Sequence, residues 1–260
     1  MKIVVCIKQV PDTNEVRLDP KTGTLIRDGV PSIINPDDKA GLEAALRLKD
    51  EYGAHITVVT MGPPQAKIAL QEAYAMGADR VILLTDRAFA GADTLATSTT
   101  IAAALKKIDF DLVITGRQAI DGDTAQVGPQ IAEHLDLPQI SYVSAFEHHE
   151  NHAIVKRSFE DGFQKIKVLY PCLITALSEL NEARYMSIKG LLDAHRVLEI
   201  ETWGFADIDT DIARMGLKGS PTKVKKSFTK GAKQAGKIVE GTPKELAIAI
   251  VDKLHEKFII

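Results

Sequence analysis

Between Lys2 and about Leu137, short runs of β-branched and aliphatic residues alternate with stretches of helical periodicity, the pattern of a parallel sheet wrapped by crossover helices. Ile3-Val4-Val5-Cys6-Ile7, Ile56-Thr57-Val58-Val59-Thr60, Val81-Ile82-Leu83-Leu84 and Leu112-Val113-Ile114-Thr115 are nearly unbroken apolar runs, as strands buried on both faces require. Between them the spacing predicts helices. One opens at Asn35-Pro36-Asp37-Asp38, where Asn is a favoured cap, Pro fits the first turn and the acids suit the positive end of the dipole; Gly53 closes it. Ala66 to Met76, stopped by Gly77, and Thr94 to Lys106 repeat the pattern, and Val16 to Ile26 reads as a small hairpin turning at Lys21-Thr22-Gly23.

After Pro138 the period changes to that of sheet strands, over Ser141–Phe146, Ala153–Phe159 and Phe163–Leu169, joined by polar turns at His148–His152 and Glu160-Asp161-Gly162 and followed by Leu173–Leu177. Residues 1–200 read as one α/β domain: an open, mostly parallel nucleotide-binding-like sheet with helices on both faces and an added antiparallel portion. Residues 201–260 read as a C-terminal arm, with seven lysines between Lys218 and Lys237. The arm ends in a helix announced by the capping box Thr242-Pro243-Lys244-Glu245, with Leu246, Ile250, Leu254 and Phe258 on one apolar face that covers either its own domain or a partner.

Composition narrows the function classes. No apolar stretch approaches the roughly 18 residues of a membrane span, and Met1-Lys2-Ile3-Val4 runs into a strand without the features of a signal peptide, so a cytoplasmic protein is expected. A net charge of -3 leaves no footprint for nucleic acid. Cys6 and Cys172 lie in apolar runs without C-x-x-C spacing, which argues for core thiols over a disulfide or zinc site. His148-His149-Glu150-Asn151-His152 fails the H-E-x-x-H spacing and reads as a polar hairpin tip, and no G-x-S-x-G is present.

The most informative segment is Gly116-Arg117-Gln118-Ala119-Ile120-Asp121-Gly122-Asp123-Thr124-Ala125-Gln126-Val127-Gly128-Pro129. It follows a buried strand and leads into a helix, so it lies at the carboxyl edge of the sheet where nucleotides bind. Three glycines permit close backbone approach, Thr124 offers a hydroxyl, and a helix starting near Thr124 would present N–H groups to an anion. Asp121 and Asp123 would repel a phosphate, and are therefore assigned to shaping the loop by bonding its own backbone. Cys6 to Asp12 leaves the first strand at the same edge, exposing Lys8 and Gln9; Lys8 meets a phosphate or an anionic ring, or is an ordinary surface lysine. Asn35, Asp38 and Met61 fall on the same rim. Separately, Asn181, Glu182, Arg184, Tyr185 and Ile188 mix charge with exposed-looking apolar anchors, as protein-docking loops do.

Lys8-Gln9-Val10, Asn35-Pro36, Met76-Gly77-Ala78-Asp79-Arg80, Gly116-Arg117-Gln118-Ala119-Ile120-Asp121 and Leu180-Asn181-Glu182 with Arg184-Tyr185 together resemble the β subunit of electron transfer flavoproteins, over essentially the full chain. The resemblance implies a heterodimer whose α subunit holds one FAD, a C-terminal arm that embraces α, and a recognition loop for acyl-CoA dehydrogenases matching Asn181–Leu191, with Ile188 at the anchor position. Mitochondrial-type members carry an Asp-Asp-Asp-Cys-Asn-Gln-Thr-Gly loop and hold AMP. Asp121-Gly122-Asp123-Thr124-Ala125-Gln126-Val127-Gly128-Pro129 is instead similar to electron-bifurcating members, which hold a second FAD, take hydride from NADH and pass electrons to ferredoxin or flavodoxin and to an acyl-CoA dehydrogenase. A non-bifurcating carrier holding AMP and a stand-alone adenine-nucleotide module remain the alternatives.

Overall fold

The structure is a computed structural model that describes residues 1–12, 31–223, 236 and 238–260; the expected hairpin at Val16–Ile26 and most of the lysine-rich stretch lie outside the described residues. Among these, strands β1 (Lys2–Cys6), β4 (His55–Met61), β5 (Arg80–Leu84), β6 (Leu112–Gly116), β7 (Gln139–His148), β8 (His152–Phe159), β9 (Gly162–Leu169), β10 (Cys172–Ala176) and β11 (Glu201–Trp203) form one sheet in the order β11-β5-β4-β1-β6-β10-β7-β8-β9. Pairing is parallel from β11 to β7, and β8 and β9 extend it antiparallel. Two short strands, β2 (Gln9–Pro11) and β3 (Ser32–Ile34), pair separately and were not foreseen.

The unbroken apolar runs are explained by helices on both faces. Alternation sends Ile3 and Val5 of β1 into a core shared with Leu42 and Leu46 of α1 (Pro36–Tyr52) and Leu70 of α2 (Lys67–Met76), while Val4 and Cys6 face Ile101 of α3 (Thr94–Leu105) and Ile131 of α4 (Val127–His134). Strand order around β1 reverses: the chain runs outward through β4 and β5, then returns to the other side as β6. The crevice above the carboxyl ends of β1 and β6 is thus a topological switch point.

Contacts divide the chain into Met1–Lys225 and Lys226–Ile260, so the first unit runs past the boundary expected at residue 200. The reason is local. β11 adds to the sheet beside β5, where Arg80 makes a bidentate pair with Glu201 at 2.6 and 2.7 Å. Around α6 (Gly216–Gly219), Ser220 Oγ accepts from Asp93 N and Thr222 donates to Asp93, pinning this segment to the start of α3. α5 (Ile188–Arg196) is a helix where the sequence suggested a loop. In the second unit α7 (Pro243–Glu256) begins with the expected capping box, Thr242 and Glu245 bonding each other's backbone N–H. No described helix is long and apolar enough to cross a membrane.

Candidate functional site at the switch point

The loop after β6 is built by three devices. First, β6 ends in Gly116, whose missing side chain is required: a Cβ there would lie 2.1 Å from Asp38 Oδ1. Second, the α1 N-terminus grips the end of β6 and the residues just beyond it. Asp38 Oδ1 accepts from Gly116 N at 2.9 Å and Oδ2 from Lys8 N at 2.7 Å, joining the ends of β6 and β1. Asn35 Nδ2 donates to Gln118 O at 2.8 Å, and Asn35 Oδ1 accepts from Ile120 N at 3.0 Å. Third, residues 119–125 form a tight turn in which Gly122 N and Asp123 N both donate to Ala119 O, and Asp123 and Ala125 take left-handed φ of 48° and 52°. Such backbone costs of order 1 kcal/mol per non-glycine residue and tends to mark functional loops.

That turn corrects two expectations. α4 begins at Val127, not near Thr124, because left-handed residues at 123 and 125 cannot belong to a right-handed helix. Its N-terminus offers the N–H groups of Val127 and Gly128, Pro129 having none. Nor do the acids bond the loop's own backbone. Asp121 takes both oxygens to Lys8 Nζ, at 2.7 and 2.9 Å, and Asp123 Oδ1 accepts from Gln118 Nε2 at 2.9 Å. Lys8 thereby neutralises the carboxylate that would repel a phosphate.

Of the remaining site residues, Thr94 Oγ1 at the start of α3 donates to Gln126 Oε1 at 2.8 Å, tying the loop's far end to a second helix. Gly128 lets α4 approach the strand ends, since a Cβ would stand 2.5 Å from Thr115 Oγ1, whereas a Cβ on Gly122 would meet nothing within 4 Å. Arg117 stands 3.3 Å from Asp37 Oδ2, and its N–H donates to Ala176 O at the end of β10. Cys6 is turned into the core, where burial, with Asp38 beside it, pushes the thiol up to about 12; it contributes backbone to the rim and no side chain. Asp38 is buried too, and burial pushes its carboxyl up to about 7 against the pull of the Lys8 and Gly116 N–H groups and the neighbouring Asn35 side chain. Met61 lines a neighbouring cleft of about 660 Å³ at the ends of β4 and β5, with Pro63, Thr85, Arg87 and Phe89. The cleft was not foreseen beyond Met61-Gly62-Pro63, because Thr85 to Ala92 carries no periodicity.

The docking segment divides in two. Tyr185 is 98% exposed and Ile188, first residue of α5, is 80% exposed. Arg184 points the other way: its Nε and Nη2 reach Glu43 at 2.8 and 3.0 Å, its N–H donates to the same carboxylate, and Nη2 also meets Asp50 at 2.8 Å. Arg184 is an anchor of the segment rather than part of its exposed face. Glu43 was missed by sequence reasoning, although an acid inside Gly41-Leu42-Glu43-Ala44-Ala45-Leu46 was the available signal. Asn181 is half-buried and Glu182 exposed. Among the described residues no group of three or more His, Cys, Asp or Glu could hold a metal.

The family model described as electron transfer flavoprotein domain matches residues 22–208. The chain is 60% identical over 260 residues to the electron transfer flavoprotein subunit beta of Clostridium acetobutylicum, covering all of both chains. It is 55% identical over 263 residues to the caffeyl-CoA reductase-Etf complex subunit CarD of Acetobacterium woodii, again over all of both, and 47% identical over 267 residues to the protein FixA of Azotobacter vinelandii, covering 98% of this chain and 94% of the relative. A family model over most of the chain and full-length identity at this level meet in one conclusion: the chain belongs to the electron transfer flavoprotein β-subunit family.

Proposed function

We propose that this β subunit holds FAD in the crevice above β1 and β6 and serves electron bifurcation, with NADH as hydride donor, ferredoxin or flavodoxin as one electron acceptor and an acyl-CoA dehydrogenase, reached through the FAD of the α subunit, as the other. The observation that carries the reading is the open space at Gly122. With nothing within 4 Å of where a Cβ would stand, the loop leaves its backbone clear for a diphosphate, and Lys8 has already neutralised Asp121. The donors fit an anion: Val127 and Gly128 N–H at the start of α4, with Thr124 and Gln126 beside them. The cleft at Met61, largely apolar and edged by Arg87, suits a flat ring system next to that anion. Bound FAD would supply the hydride-accepting and one-electron chemistry. The chain's own residues bind, orient and keep water out: the loop braced by Asn35 and Asp38 holds the diphosphate, while Tyr185 and Ile188 offer the dehydrogenase an apolar anchor. The name of the relative CarD, a subunit of a caffeyl-CoA reductase-Etf complex, supports a CoA-thioester reductase as partner here.

The test is the nucleotide content of the purified heterodimer. Heat release should give two FAD per heterodimer. Gly122→Asp, whose Cβ would meet nothing within 4 Å and which adds a charge beside the loop backbone, should lower this to one. One FAD plus one AMP in the unaltered protein would refute the bifurcating reading and leave a single-flavin carrier; no nucleotide in the β subunit would refute the site.

A further inference from the structure

We infer that Asn35, with Asp38, is a positioning residue: the N-terminus of α1 sets residues 116–121 in their binding geometry before a nucleotide arrives, acting through the loop rather than on the ligand. This rests on the reading of the loop as a nucleotide site. Asn35 occupies the cap position of α1 yet makes no side-chain cap bond to its own helix. Its side chain is diverted: fully buried, it uses its amide N–H on Gln118 O and its carbonyl oxygen on Ile120 N. Asp38, 7% exposed, spends one oxygen on Gly116 N and the other on Lys8 N. Asp37 accepts from Ser178 N, just beyond β10, and faces Arg117.

The ends of β1, β6 and β10 therefore converge on one helix terminus. Asp37 and Asp38 already occupy that terminus, so α1 is no anion seat, and the diphosphate is left to α4. A loop with left-handed residues at 123 and 125 would otherwise be ordered only on binding, and ordering lowers affinity. Holding it in advance serves any ligand of the loop equally. A residue touching one part of the ligand would instead favour the ligand carrying that part.

The experiment uses the heterodimer stripped of nucleotide and titrated separately with FAD and with AMP. Asn35→Ala should weaken both by the same factor, about 10- to 100-fold for two lost hydrogen bonds. In the stripped state, hydrogen exchange at residues 117–122 should rise by more than exchange in the central strands of the sheet. Should the alanine variant fail to assemble, Asn35→Asp, which keeps an acceptor for Ile120 N but loses the donor to Gln118, should give a smaller loss of the same kind. Unchanged affinity overturns the inference, as does a loss confined to FAD or to AMP. So does reduced affinity without increased exchange in the stripped state, which would make Asn35 a direct ligand contact. If the unaltered heterodimer binds neither nucleotide, the functional reading fails on its own account, and exchange at 117–122 still decides whether Asn35 holds the loop.

Discussion

Arg184→Ala removes the partner of a carboxylate that cannot reach water. Glu43 is 3% exposed, and Arg184 supplies three of its contacts: two from the guanidinium at 2.8 and 3.0 Å, which the substitution removes, and one from the backbone N–H at 3.1 Å, which alanine keeps. Breaking a buried pair by deleting one member costs about 3–5 kcal/mol, because the remaining charge stays buried. Two features place the expected loss at about 3 kcal/mol, the lower end of that range. Arg47 still approaches Glu43 at 3.2 Å, and the Arg184 side chain is itself about a third exposed. Burial pushes the Glu43 carboxyl up, but the Arg184 contacts outweigh it and hold the group below its ordinary value. A depressed carboxyl contributes stability above its unfolded value of 4.5 and loses it as pH falls through the folded value. The penalty of Arg184→Ala should therefore be full at pH 7 and fade as pH falls below 4.5 and through the depressed folded value. Urea unfolding of the heterodimer at fixed concentration measures it, in a cycle with Glu43→Gln and the double variant. The two single changes should couple by about 2 kcal/mol. A loss below about 0.5 kcal/mol at pH 7, or additive changes, would refute the reasoning.

Ile188→Ala should raise the KM for the acyl-CoA dehydrogenase by roughly tenfold, since truncating a buried aliphatic anchor costs about 1–3 kcal/mol, while NADH still reduces the flavins at the original rate; equal loss of both activities would place Ile188 elsewhere. Gly116→Ala should lower stability by about 1–3 kcal/mol and expel nucleotide together, because the new methyl would collide with Asp38; a melting curve and the released flavin report both. Asp38 titrates in the opposite sense to Glu43: its raised carboxyl contributes stability below 3.8 that is lost as pH rises through about 7. The cost of Asp38→Asn should therefore shrink by about 2 kcal/mol between pH 5 and pH 8, and an unchanged cost would show that the carboxyl is not protonated in the fold.

Where the fold was legible, a local period announced it. The four central strands and α1 to α3 fall within a residue or two of their expected limits, since apolar runs, caps and glycine stops act over a few residues. Illegible were the features made by distance or by backbone alone. Glu43 and Arg184 lie 141 residues apart. β11 is three residues long and becomes a strand only because β5 has a free edge. The left-handed turn at Asp123 and Ala125, which delays α4, uses residues that ordinarily avoid it. Sequence reasoning assigned the candidate site residues to strand ends and loops, but which of their side chains are already engaged inside the protein, as those of Cys6, Asp38 and Arg184 are, emerges only from the fold.

Parallel strand order also fixes a length. The crevice lies between β1 and β6 and the Met61 cleft between β4 and β5, with β4 and β1 adjacent, so the two are offset by two strand spacings, roughly 10 Å at about 4.8 Å each. Backbone hydrogen bonding sets that interval, and no side-chain change can alter it. The rim therefore works as a ruler. On the proposed reading, a molecule that fills both hollows needs a ring system and an anionic group separated by that distance, and changes to the hollows adjust how well each end is held without changing how far apart the ends must be.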